Sequence, residues 1–413
     1  MFIQSLTGYF VFVLIAWCLS ENRRKFPVRI VIAGIILQIA VAGVLLKFPL
    51  LTRFFMLLND AVAAISESTS AGASFVFGYI GGGKTPFEVT YPQASFILAF
   101  QALPLVLVIS ALSSLFFYWG ILPKVVKGFS WGLEKTLKIG GAEGLGVSAD
   151  IFVGMVEAPL LIRPYVAKMT RSEIFAMMTC GMATIAGTVM VLYASILDKI
   201  IPNVMGHILI ASIIAAPAAI VMAKIIIPET DELTPARLKA PDDVVSSMDA
   251  ITRGTSQGLE LFLNIIAMII VLVALVHLVN LMLGIMPPFN GEPFTLQRIF
   301  GWIMSPVVWL LGIPWSEAGV AGTLMGTKTV LNEFIAYVQM SGLPPDALSS
   351  RSLLIMTYAL CGFANPGSLG IMIAGYCGMA PERRSDIVSL GFRAVISGTL
   401  ANCMTGALVG MFY

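Results

Sequence analysis

The chain has 413 residues, of which 58% are apolar and only 12% charged, and its mean hydropathy is +0.91. Soluble domains are roughly one-quarter charged, so this composition excludes an ordinary soluble protein and points to an integral membrane protein built of helices. With 25 basic and 23 acidic side chains the net charge is +2, which argues against a nucleic-acid binder.

A helix needs about 20 mostly apolar residues to cross the hydrocarbon core of a bilayer. Segments near 5–20, 28–48, 95–119, 173–197, 206–227, 260–286, 352–378 and 387–412 qualify. The first lacks a basic leader and is read as a span, not a cleaved signal. Lys and Arg gather after the first span (Arg23, Arg24, Lys25, Arg29), after the third (Lys124, Lys127, Lys135, Lys138) and before the last (Arg383, Arg384). Placing these loops in the cytoplasm gives about eight crossings with both termini outside the cytoplasm. The polar, rather acidic loop 228–257 then lies inside as a connector, with room for a solvated helix.

Stretches 141–170 and 314–341 mix Gly, Pro and charges with hydrophobes. Irregular backbone survives at membrane depth only when buried in protein or lining a wet cavity, so both are expected to be re-entrant hairpins. Segments near 50–65, 121–138 and 296–311 are expected to be shorter helices along the interface or against the core.

Two parts of the chain echo each other. Ala142-Glu143 through Glu157, then Cys180-Gly181-Met182-Ala183-Thr184, matches Ser316-Glu317-Ala318 through Glu333, then Cys361-Gly362-Phe363-Ala364-Asn365. The weave of spans sends the two hairpins in from opposite sides. That is an inverted repeat, a plan of secondary transporters in which cargo is held where broken helices meet. The expected architecture is therefore all-α and polytopic. N-terminal scaffold spans fill 1–119, the first repeat 120–227, a connector and long span 228–295, and the second repeat 296–413.

Glu157 and Glu333 carry the strongest chemical signal. A charged side chain near the bilayer centre costs about 2.5–3.5 kcal/mol on insertion scales and usually faces a cavity. The break at Thr184-Ile185-Ala186-Gly187 frees carbonyls and a hydroxyl that suit a hard cation. Asn365 and Ser368 offer an amide and a hydroxyl at the matching break, where Pro366 and Gly367 interrupt the helix. The five cysteines lie scattered in apolar runs and the two histidines stand alone, so neither a metal cluster nor a triad enzyme is expected. Gly78-Tyr79-Ile80-Gly81-Gly82-Gly83-Lys84-Thr85 spells a P-loop, but Pro86 follows and no strand is expected before it.

With these residues in hand the sequence resembles the concentrative nucleoside transporters along almost its whole length. The resemblance rests on Ile151-Phe152-Val153-Gly154, Glu157-Ala158-Pro159, Arg163-Pro164-Tyr165, Ala183-Thr184-Ile185-Ala186-Gly187, Asn332-Glu333-Phe334 and Cys361-Gly362-Phe363-Ala364-Asn365. It implies a homotrimer in a cell membrane, that of a bacterial inner membrane, importing nucleosides with a co-transported cation, usually sodium. Carried over by position, base recognition falls on Gly154, Met155, Val156 and Glu157, with Thr188 and Val189 beside them. Ribose recognition falls on Glu333, Asn365 and Ser368, with Phe363 packing nearby. The sodium site falls on Asp150, Val153, Thr184 and Ile185.

The departures from the family pattern bear on cargo. Met155-Val156 stands where many members have Gln-Thr or Gln-Ser, and Gly154-Met155 with Thr188-Val189 is the pairing of purine-preferring members. Met packs adaptably on apolar ring surface, so purine nucleosides are the expected cargo. Asp150 replaces a common Asn, which leaves a proton-coupled nucleoside or nucleobase transporter of the same architecture as the alternative. Pro366-Gly367 also departs from the pattern and makes the contacts near Ser368 less secure.

Overall fold

The computed structural model describes residues 1–47, 49–88, 96–155, 157–235, 244–288, 291 and 293–413, and among them every regular element is helical. The N-terminal part contributes α1 (Phe2–Cys18), α2 (Val28–Lys47), α3 (Pro49–Phe77), α4 (Leu98–Gln101) and α5 (Pro104–Tyr118). The first repeat runs α6 (Ile121–Leu137), α7 (Gly141–Asp150), α8 (Glu157–Leu161), α9 (Arg163–Val166), α10 (Arg171–Ala183), α11 (Gly187–Leu197) and α12 (Val204–Ile226). After α13 (Ser247–Leu283) the same order returns. It comprises α14 (Leu296–Leu310), α15 (Trp315–Val330), α16 (Glu333–Ser341), α17 (Ser350–Leu360), α18 (Pro366–Met379) and α19 (Arg384–Phe412).

Both expected hairpins are helix–break–helix units, α7/α8–α9 and α15/α16, and both following spans are broken, at 184–186 and 361–365. Six described stretches are long and apolar enough to cross a membrane. Burial sorts them: 89% of the α12 window is buried but only 6% of the α13 window. The inner layer is thus α10, α11, α12, α17 and α19, while α13 turns most of its apolar surface outward.

The termini of these elements follow from local chemistry. Thr170 Oγ1 accepts from the Glu173 amide at 3.0 Å while Thr170 N donates to Glu173 Oε2 at 3.0 Å, a reciprocal cap that starts α10. The second break is opened by Gly362, whose φ of +153° is costly for a side-chain-bearing residue, and closed by Asn365 as N-cap with Pro366 at the first helical position. A Cβ on Gly362 would lie 2.7 Å from Ala183 O and 2.9 Å from Met182 O. The two helix breaks therefore touch at the centre of the molecule.

Small residues set the outer contacts. Gly254 and Gly258 of α13 lie against Ser110 and Leu107 of α5, and Gly322 and Gly326 of α15 lie against Gly301 and Phe300 of α14.

Two element boundaries differ from the sequence reading. The segment near 50–65 belongs to α3, which continues through a polar Ser-Thr-Ala-Gly run to Phe77. The long span begins at Ser247, not near 260: Ser246 Oγ accepts from Asp249 N at 3.1 Å, and an Arg253–Asp249 pair at 3.1 Å supports a polar first turn. The solvated start of this helix masks it from a hydropathy reading. The P-loop pattern is preceded by α3 and enters a 3-10 turn at Gly78–Gly81, with no helix through Glu88, so it cannot cradle phosphate.

Candidate functional site

A cavity of about 120 Å³ opens between the two broken helices, the second hairpin and the inner face of α13. Its polar end is built on Glu333, the first residue of α16, which is only 4% exposed. The Asn332 carbonyl-bearing side chain caps this helix by accepting from Ile335 N at 2.9 Å, which fixes the turn that presents Glu333. A carboxylate at a helix N-terminus is favoured by the oriented amides behind it.

The two carboxylate oxygens are held from different elements. Tyr193 Oη of α11 donates to Glu333 Oε1 at 2.6 Å, and Asn365 Nδ2 donates to Oε2 at 2.8 Å. Asn365 has no choice of orientation, because its Oδ1 accepts from Ser368 N at 2.8 Å as the cap of α18. Its amide nitrogen must then face the carboxylate. The result is one anionic group bridging the first repeat, the second hairpin and the second break. Such charge-assisted bonds contribute about 1.5–3 kcal/mol each.

Apart from Asn264 and Asn332, the remaining walls are apolar. Met155, Val189, Phe334 and Phe363 form one side, and Leu261, Ile265, Met268 and Leu272 of α13 the other. Of the residues expected to bind substrate, Met155, Val189, Glu333, Phe363, Asn365 and Ser368 meet in this cavity. Thr188 is buried next to Val189 but does not line it, nor does Gly154, whose φ of +108° turns the chain just before Met155. Val156 and the side chain of Glu157 lie outside the described residues; the backbone of Glu157 opens α8 at the position Glu333 takes in α16. The departure at Pro366-Gly367 leaves Asn365 and Ser368 on the cavity wall.

Three polar wall residues were not anticipated: Tyr193, Asn332 and Asn264. Tyr193 lies one helical turn beyond Val189, and an aromatic at that spacing reads as core. Asn264 is the more legible, an amide set among the hydrophobes of α13.

The residues assigned to sodium also gather. Thr184 Oγ1 donates to Cys180 O at 2.9 Å and to Asp150 O at 3.3 Å, tying the first break to the end of α7. Gly187 N donates to Phe152 O at 3.0 Å, beside Val153. Asp150 and Ile185 are wholly buried. A buried carboxyl, a hydroxyl and loosened carbonyls form the all-oxygen donor set that a hard cation requires. A Cβ placed on Gly181 would lie 2.7 Å from Met155 Cβ and 3.9 Å from Asp150 Oδ1, so the cavity wall and the oxygen cluster both approach the same face of this glycine.

The comparisons with known proteins agree with this geometry. Three family models cover the chain: the "Na+ dependent nucleoside transporter" N-terminus over residues 7–80, "Nucleoside recognition" over 99–200, and the "Na+ dependent nucleoside transporter" C-terminus over 207–410. "Nucleoside permease NupC" of Helicobacter pylori is 35% identical, with 99% of this chain and 97% of that protein aligned. The chain belongs to the concentrative nucleoside transporter family. "Sodium/nucleoside cotransporter 2" of Rattus norvegicus is 32% identical over 99% of this chain and 62% of its own length. Among solved structures, "CNTnw in an inward-facing substrate-bound state" matches with a TM-score of 0.90 and 34% identity, covering 99% of this chain and 98% of that one. The protein is thus a multi-pass nucleoside transporter of a sodium-dependent family and not an enzyme.

Proposed function

We propose that this chain is a sodium-coupled nucleoside symporter that favours purine nucleosides and works by alternating access. The observation that carries the nucleoside chemistry is Glu333, buried and held by Tyr193 and Asn365 at 2.6 and 2.8 Å. Its remaining lone pairs face a cavity where ribose hydroxyls can donate. The apolar wall at Met155 and Val189 offers ring surface but no hydrogen bonds for a pyrimidine edge, which supports the purine reading.

Sodium binds among Asp150, Val153, Thr184 and Ile185, and by ordering the first break it sets Met155 for the base. Gly154, Val156 and Glu157 complete the tip of the first hairpin, with Thr188 behind it. The two repeats move together as a loaded unit against a scaffold that includes α13. The working form is a homotrimer in a bacterial inner membrane with both termini outside the cytoplasm. Asp150 gives specific weight to a second reading, in which a proton replaces sodium at a carboxyl that stands where the family commonly has Asn.

Glu333→Gln tests the assignment. Both partners donate to Glu333, so the amide nitrogen of a glutamine would either face the Asn365 amide or force the Tyr193 hydroxyl to turn from donor to acceptor, and the bonds to an anion are lost in both orientations. Nucleoside affinity should fall roughly 10- to 100-fold, the equivalent of one charge-assisted bond lost, while the protein elutes and melts as the parent does. Normal uptake by a folded Glu333→Gln variant would overturn the assignment.

A further inference from the structure

Lys328, in the last turn of α15, is 1% exposed, yet among the described residues no carboxylate lies within 4 Å of its ammonium. A lone buried ammonium costs several kcal/mol unless strong acceptors surround it. Its acceptors are neutral oxygens. Nζ donates to Ala359 O at 3.0 Å, in the final turn of α17, where the helix breaks. The second acceptor is Asn402 of α19. An amide oxygen cannot face carbonyls, so Asn402 turns its nitrogen to Ala183 O at 2.7 Å and Cys361 O at 3.0 Å, and its oxygen accepts from Lys328 Nζ at 2.8 Å.

These contacts place a positive charge at the carbonyl end of a broken helix, held by oxygen acceptors. That is the arrangement assigned to sodium in the first repeat. There the cation lies where α10 breaks, among residues of the α7 end; here the ammonium comes from the α15 end and lies where α17 breaks. The repeat registers agree: Lys328 precedes Glu333 by five residues, and the residue five before Glu157 is Phe152, neighbour of Val153. Freed carbonyls at a helix C-terminus favour a cation in both cases.

We infer that Lys328 is a tethered cation that occupies, in the second repeat, the position sodium takes in the first, and so positions Glu333 and the second break for substrate. Its charge offsets that of Glu333 within one hairpin and locks α15, α17 and α19 together through Asn402. One consequence is that the second repeat needs no ion from solution. This rests on the sodium reading of the first break for its symmetry argument, but the charge requirement at Lys328 is testable without it.

The test compares Lys328→Met, which fills the space without charge, with Lys328→Ala, which leaves room for an ion. Adenosine binding to purified protein is titrated against sodium, after gel filtration and melting have established folding. Both variants should lose at least about tenfold in adenosine affinity at low sodium, as expected for removing a buried charge from the hairpin that carries Glu333. Raising sodium should restore Lys328→Ala, with a steeper sodium dependence than the parent, and should not restore Lys328→Met. A packing role predicts the reverse order, Met better than Ala, and that result overturns the inference, as does parental affinity in Lys328→Met. If neither variant folds, Asn402→Asp keeps the lysine and neutralises it with a carboxylate; undiminished adenosine affinity in that folded variant also overturns the inference. A parent protein whose binding ignores sodium would refute the sodium reading alone, and the difference between Lys328→Met and the parent would still judge the lysine.

Discussion

Glu333 could be read from the sequence because a carboxylate in an apolar run has few structural uses, and the structure places it at the head of the cavity. Tyr193 could not, since nothing in its neighbourhood separates a buried phenol that donates to an anion from one that merely packs. The hydrogen bond it makes at 2.6 Å assigns it a measurable role. Tyr193→Phe should weaken nucleoside binding roughly 10-fold, with little loss of stability because the ring stays packed, as equilibrium binding and a melting curve would show. Met155 speaks to selectivity. Met155→Gln introduces donors and acceptors on a wall that now has none, so the ratio of uridine to adenosine uptake should rise by several fold. An unchanged ratio would remove the purine argument from this position. These two substitutions separate the ribose end of the cavity from the base end.

At the scale of elements, the breaks were more legible than the boundaries. Gly, Pro and polar residues interrupting an apolar run announce a broken helix, and both breaks at 184–186 and 361–365 follow that signal. Helix ends that are wet carry no such mark, which is why α3 and α13 run further than their apolar cores. What the sequence does not disclose is that the breaks touch. That contact depends on Gly362, and a similar closeness joins the first break to its hairpin at Gly187, where a Cβ would lie 2.5 Å from Phe152 O. Gly187→Ala should therefore push the first break away from the Phe152–Val153 carbonyls at a cost of about 1–3 kcal/mol. The expected reading is a sodium half-saturation raised severalfold in transport assays, with adenosine affinity at saturating sodium much less affected. Equal loss of both would mean that Gly187 shapes the cavity and not the ion site. The cap of α10 supplies a purely structural control. Thr170→Ala should cost about 1 kcal/mol in stability and leave the sodium dependence of uptake unchanged.

Over the whole molecule, the repeated order of elements was visible as a short echo of Glu, Cys-Gly and a polar residue, but the pairing of the two halves was not. Sequence offsets say nothing about which broken helix faces which hairpin. In the structure α11 of the first repeat reaches across to Glu333 of the second, and Asn402 of the last helix holds both breaks. A molecule wired this way has its proposed cargo and ion sites in one mechanical unit, with both Met155 and the Asp150 carboxyl close to Gly181. Coupling between ion and nucleoside is then expected to be tight, each raising the affinity for the other by the same factor. The direct measurement is uptake of labelled adenosine into proteoliposomes of the purified protein, with an inward sodium gradient and with sodium equal on both sides. Accumulation above the external concentration is expected only with the gradient, with weaker accumulation of uridine under the same conditions. Adenosine that merely equilibrates, or that accumulates equally well on a proton gradient without sodium, would contradict sodium-coupled symport.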